Sequence, residues 1–141
     1  MLTRTKLMLT LSCVTVALVT QPTFAQEKKQ EYVTTAERNV LVEEALPGVE
    51  GKIISINHVK MPPEWVGGKH YHSGPTYVYV LKGSLTIDEK GKPEKTFKAG
   101  QLYEEPLGNT MQAFNKSADE ATELLVMQVQ NEGEPLMYKA E

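Results

Sequence analysis

The sequence predicts a single all-β domain of the barrel or sandwich class. From Gly51 onward, short runs rich in Val, Ile, Thr and Tyr alternate with Gly, Pro, Asn and Asp signals roughly every 8–12 residues, the cadence of an antiparallel all-β fold. No long helical period competes with that pattern. The chain has 141 residues, 40% of them hydrophobic, enough for one core without a disulfide or metal staple and too few for a second domain.

The expected strands are Lys52–Lys60, Lys69–His72, Thr76–Leu81, Ser84–Glu89, Lys95–Lys98, Gln101–Glu105, Met111–Asn115 and Glu123–Gln130. Asp88-Glu89-Lys90-Gly91-Lys92 separates two alternating runs and suits a hairpin tip. Ala99-Gly100 and Leu107-Gly108-Asn109 supply residues that tolerate positive φ at turns. Before the first strand, Gln26 to Glu37 is polar and reads as an exposed leader with no assigned role. The expected organisation is therefore a polar N-terminal segment over residues 26–50 and a β-barrel domain over 51–141.

Residues 1–25 are set aside as a secretory signal peptide. Arg4 and Lys6 precede an uncharged run from Leu7 to Val19, and Thr23-Phe24-Ala25 follows, with cleavage expected after Ala25. That run is about 13 residues long, short of the roughly 20 needed to span a bilayer, so no membrane span is expected after cleavage. Cys13 lies in the middle of the run, with Thr10 where a lipoprotein signal carries Leu, which argues against a lipid anchor. The expected destination is the periplasm or the outside of the cell. Cys13 is the one cysteine, so the mature chain has no disulfide, thiolate ligand or thiolate nucleophile. Cleavage also removes two of the 15 basic residues and none of the 18 acidic ones, leaving an acidic chain ill suited to bind nucleic acid.

His70 and His72 are two apart, a spacing that sends both imidazoles to one face of a strand. Two neutral imidazoles can converge on a borderline metal ion and leave positions for other ligands or substrate. Alone, His-x-His is weak evidence. Its context is more specific: Gly67-Gly68 precedes the pair, and a Ser-Gly-Pro turn and Tyr77-Val78-Tyr79-Val80-Leu81-Lys82-Gly83 follow it.

Here the chain resembles the cupins, and in particular the small single-domain, RmlC-like members. Their first motif runs Gly, five residues, His-x-His, three or four residues, Glu, six residues, Gly. This chain has His70 and His72, three residues, Thr76, six residues, Gly83. Their second motif runs Gly, five residues, Pro-x-Gly, two residues, His, three residues, Asn. This chain has Gly100, five residues, Pro106-Leu107-Gly108, two residues, Met111, three residues, Asn115. The resemblance extends from about Gly51 to the C-terminus and implies a double-stranded β-helix, or jelly-roll barrel. It also implies a transition metal inside that barrel, with His70 and His72 as ligands and a homodimer as the default assembly.

Two ligand positions of the family are changed. Thr76 stands in place of Glu and is a poor ligand for a divalent metal. Met111 stands in place of His. It either ligates as a soft thioether, which favours copper over manganese, iron, nickel or zinc, or fills a gap in the barrel. Glu105 directly precedes Pro106, where many cupins carry Ile or Val, and that preference points inward. An inward Glu105 needs a metal, a cation or a proton, and it could serve as a fourth ligand or a general base. An outward Glu105 is a solvated rim residue.

The remaining candidates read as structure. His58 faces out if Val59 and Met61 face the core. Tyr77 and Tyr79 share the face opposite Thr76, Val78 and Val80. Glu104 is expected at the surface, Tyr103 shares the parity of Glu105, and Trp65 suits a lid over one barrel mouth. No phosphate loop, nucleophile elbow or His-Glu-x-x-His pair is present, and Ser73 points away from its neighbour His72. By resemblance, cupins with such a site include dioxygenases, isomerases and decarboxylases. The functional expectation is a metal-dependent oxidoreductase on a small organic substrate, set against a non-catalytic metal-binding or small-ligand-binding protein.

Overall fold

The computed structural model describes residues 29–141; the expected signal peptide lies outside the described residues. Ten strands follow in chain order: β1 Glu37–Ala45, β2 Lys52–Met61, β3 His70–His72, β4 Thr76–Lys82, β5 Ser84–Glu89, β6 Lys95–Lys98, β7 Leu102–Glu105, β8 Met111–Phe114, β9 Thr122–Asn131 and β10 Met137–Lys139. They form two five-stranded antiparallel sheets, ordered β1-β2-β9-β4-β7 and β10-β3-β8-β5-β6. Among the described residues no helix is long and apolar enough to cross a membrane.

All eight expected strands are present, shifted at their ends by a residue or so. Strands β1 and β10 are additional. Strand β1 is an edge strand with eight of its nine residues exposed, so burial imposes no alternation on its sequence. Backbone pairing to β2 from Glu37 to Ala45, with a bulge between Val40 and Val42, holds it in place. Upstream, Glu31 bridges Tyr138 and the Tyr32 amide donates to Met137 O at 3.0 Å, so the expected leader joins the second sheet. The sheets thus extend well before Gly51.

Alternation sorts the long strands as their sequences dictate. In β4, Thr76, Val78 and Val80 are buried while Tyr79 is exposed and Tyr77 half-buried. In β7, Tyr103 and Glu105 face in while Leu102 and Glu104 face out. Gly74 is required by contact: a Cβ there would sit 1.8 Å from Val129 O, so only glycine lets the turn into β4 pass this close to β9. Gly83, at φ +72°, makes the sharp turn between β4 and β5.

The apolar core gathers Met61, Val78, Val80, Leu85, Ile87, Phe97, Tyr103, Met111 and Leu124 with Ala36. The interior is not uniformly apolar, however. Buried polar or charged side chains include His70, His72, Thr76, Glu105, Asn57 and Gln128. Burying such groups costs free energy unless they are paired, so each needs a partner inside the barrel.

Candidate metal and ligand site

Between the two sheets lies a cavity of about 80 Å³. Strand β3 contributes His70 and His72, β7 contributes Glu105, β9 contributes Gln128, and β2 contributes Asn57 and Val59. Tyr32 and Trp65 close part of its wall, Trp65 held by a bond from Nε1 to Thr35 Oγ1 at 3.0 Å.

Both imidazoles are buried, His70 at 5% and His72 at 6% exposure, as their shared parity requires. Their ring centroids are 5.2 Å apart. The tautomer of each is fixed by an acceptor. His70 Nδ1 lies 2.8 Å from Gly68 O, which can only accept, so Nδ1 carries the proton. Gln128 Nε2 donates to Leu136 O at 2.8 Å, which turns Gln128 Oε1 towards His72 Nδ1 at 2.7 Å. His72 therefore also donates from Nδ1. Both Nε2 atoms are left for the cavity, the arrangement in which a carbonyl or amide partner orients a metal-binding imidazole. Tyr32 stacks on His70 with centroids 4.8 Å apart and planes 6° apart. Its hydroxyl accepts from the Gly68 amide at 2.8 Å, bracing the loop that holds His70.

Glu105 points inward. Its Oε2 lies 2.5 Å from His72 Nε2, with the two side chains 7% and 6% exposed. While His72 is neutral, its one proton sits on Nδ1, so two lone pairs confront each other and Oε2 is a buried acceptor without a donor. Something positive must lie between them, either a proton or a cation. Burial pulls the His72 pKa down, but the Glu105 charge and hydrogen bond, with Gln128, outweigh it and hold it above the ordinary 6.5, the direction that favours a proton on this pair in the metal-free chain. His70 goes the other way, lowered chiefly by burial, despite the Gly68 carbonyl. His70 thus presents a neutral lone pair at neutral pH.

Thr76 pairs with Glu105 on one side and with Gln128 on the other, so the three form one inward-facing row across β7, β4 and β9. Thr76 Oγ1 lies 2.9 Å from Gly74 O and 3.1 Å from Gln128 Oε1. The carboxylate absent from β4 is thus present one strand away. Met111 is 2% exposed and directly across from His70 in the β3–β8 pairing. It packs with the apolar core and is not among the residues lining the cavity.

The donors fit a metal ion in kind: two imidazole Nε2 atoms and a carboxylate oxygen that lacks any other partner. Among the described residues no three His, Cys, Asp or Glu side chains are already gathered around one point, so a cation would have to part the contact between His72 and Glu105.

The family model for the cupin domain matches residues 57–127, half of the chain. The chain belongs to the cupin family. No curated protein matches it. Solved structures confirm the double-stranded β-helix fold. The cupin resembles the DMSP lyase DddQ from Ruegeria pomeroyi at 19% identity and a TM-score of 0.58, over 72% of this chain and 50% of that one. A cupin-like protein from Thermotoga maritima is similar at 22% identity and a TM-score of 0.55, over 77% and 80%. An RmlC-like cupin with a double-stranded β-helix fold from Methanocaldococcus jannaschii is similar at 21% and 0.52, over 64% and 90%. The chain spans only half the length of the DMSP lyase that it matches.

Other expected features take these positions in the cupin. His58 is half-exposed on the outer face, its Nε2 3.1 Å from Glu123 Oε2. Tyr103 faces in but lines a separate cleft with Glu89 and Lys92, packed on Phe97 at 4.7 Å. Asn115, the last residue of the second motif, is structural: its Nδ2 lies 2.8–3.2 Å from the carbonyls of Met61, Pro62 and Glu120, pinning the loop that carries Trp65. Sequence reasoning passed over Gln128, Tyr32 and Asn57. For Gln128 and Asn57 a signal existed, an amide at the inward parity of its strand, beside Val126 in β9 and Val59 in β2. For Tyr32 no local signal existed.

Proposed function

We propose that this cupin is a metal-dependent enzyme acting on a small organic substrate. A borderline divalent cation, manganese, iron, nickel or zinc, is held by His70 Nε2, His72 Nε2 and Glu105. One observation carries the reading: two imidazoles commit Nδ1–H to protein acceptors in one cavity, and His72 turns Nε2 towards a Glu105 oxygen with no other partner. A metal bound there supplies Lewis acidity and, where redox-active, electron transfer.

The chain's own residues supply the rest. Gln128 holds the His72 ring in orientation. The apolar walls, Val59, Val78, Leu85 and Leu124, limit the water inside and so strengthen each charge interaction there. Glu105 can take a substrate proton when it is not needed as a ligand, which keeps its role as general base in play. Nitrogen and oxygen donors suit these metals better than Cu(I). Copper depends on the Met111 thioether, which belongs to the core rather than to the cavity wall.

A metal-free ligand-binding barrel is the second reading. The 2.5 Å contact between His72 and Glu105 favours it, because it already pairs two of the three candidate ligands with each other. The test is to prepare the chain from Gln26, measure its metals by mass spectrometry, and assay oxygen and substrate consumption on phenols and diketones. A stoichiometric metal with turnover upholds the enzyme, and an oxidoreductase in particular. A chain that holds no metal in any preparation leaves the second reading.

A further inference from the structure

Asn57 and Arg38 form a part of the cavity wall that the metal ligands do not use. Asn57 occupies an inward position of β2, is 2% exposed and lines the cavity, and its Oδ1 has no hydrogen-bond partner. A buried amide oxygen left unpaired is costly, so a group that completes it is expected. Arg38 lines the same cavity from β1. It pairs with Val59, two residues from Asn57 on the same face of β2, so the two side chains are diagonal neighbours across the β1–β2 ladder. That separation is within reach of a long side chain. Among the described residues Arg38 belongs to no ion pair, although the outer cleft it shares also holds Glu31 and Glu43. A guanidinium offers a planar fork of donors matched to a carboxylate, and a carboxamide offers an acceptor beside its donors.

We infer that Arg38 and Asn57 recognise the organic ligand of this cavity, a small carboxylic acid that bears a hydroxyl next to its carboxylate. The carboxylate lies on Arg38, and the hydroxyl donates to Asn57 Oδ1. This rests on the enzyme reading above and names the substrate class for the same site. Size agrees: the cavity holds about 80 Å³, against about 30 Å³ for each molecule of liquid water, which suits an acid of few carbons. The apolar walls around Val59 and Val78 then face its carbon skeleton.

Trp65 is the one tryptophan of the chain and lines this cavity, so its fluorescence reports occupancy. The zinc-loaded protein is titrated with lactate, lactamide and propionate, beside Arg38→Gln and Asn57→Leu. Lactate is expected to bind at least about tenfold more tightly than lactamide, the scale of a charge-assisted pair, with the margin lost in Arg38→Gln. Lactate is expected to exceed propionate by about fivefold, with that margin lost in Asn57→Leu. Asn57→Ala replaces Asn57→Leu if the latter does not fold, and metal content is measured in every variant. Equal binding of the three compounds, binding of none, or a lactate preference that survives both substitutions overturns the inference. If the wild type takes up no zinc, the enzyme reading fails separately, and the same titrations on the metal-free chain still decide the subsite.

Discussion

Thr76 on β4 and Glu105 on β7 are directly paired, so the inward carboxylate that Thr76 does not provide comes from the neighbouring strand in the same row. Glu105→Gln is therefore expected to weaken metal binding by about 100-fold or more, since loss of a ligand's mere supporting partner costs roughly 10–100-fold. Moving the carboxylate back, in the double variant Thr76→Glu with Glu105→Thr, is expected to restore most of that affinity. Metal titration of the two variants checks this. Equal affinity of wild type and Glu105→Gln would remove Glu105 from the ligand set.

Gln128 is a positioning residue, touching His72, Ser73 and Leu136 at once. Gln128→Leu leaves the His72 Nδ1–H without its acceptor, a loss of about 1–3 kcal/mol, while the Leu136 carbonyl keeps the Ser73 amide at 3.2 Å. In a domain of this size each kcal/mol lowers Tm by roughly 4–8 °C. Gln128→Glu keeps an acceptor for His72 and is expected to recover more metal affinity than Gln128→Leu. Thermal unfolding and metal titration separate the effects, and equal affinities in the two variants would show that Gln128 acts on stability alone.

Much of this site was legible in the sequence because β-strand parity is rigid. His70 and His72 had to share a face, and the family's apolar preference before Pro106 offered an inward reading of Glu105 beside a solvated one; all three side chains are buried in one cavity. Parity does not show which inward residues meet across strands, so the row Glu105–Thr76–Gln128 emerged only with the register. Strand β1 was missed because its edge position leaves both faces exposed, and its strand identity comes from backbone pairing alone. Tyr32 was missed because its contact with His70 spans 38 positions of sequence within a segment of polar composition.

That N-terminal contact makes its own prediction. Tyr32→Ala removes a stacked ring from His70 and the acceptor for the Gly68 amide, together worth about 1–2 kcal/mol. Hydrogen exchange at Gly68 is expected to accelerate, and the loop carrying His70 to lose order, while the β2–β9 pairing stays protected. Unchanged exchange at Gly68 would show that the segment merely lies against the barrel.

Glu89 on β5, in the cross-strand row of Met111 and His70, sets a pH dependence. Burial opposes the charge of Glu89, but Lys92 Nζ and Asn109 Nδ2, each 2.7 Å away, outweigh it and hold its pKa below the ordinary 4.5. A depressed carboxyl pKa contributes stability that is fully present above 4.5 and is lost as pH falls through the lower folded value. Glu89→Gln is accordingly expected to lower stability at neutral pH and to flatten the acid limb of a pH–Tm profile. An acid limb identical to that of the wild type would assign the loss to other groups.

In the proposed site the cavity binds a metal through nitrogen and oxygen donors, with Met111 outside the ligand set. X-ray absorption at the edge of the bound metal tests it most directly, on the chain from Gln26 loaded to equilibrium. The expected first shell is nitrogen and oxygen alone, with the outer scattering of two imidazoles, unchanged in Met111→Leu and depleted in Glu105→Gln. A sulfur scatterer that disappears in Met111→Leu, or a chain that binds no metal to measure, would contradict it.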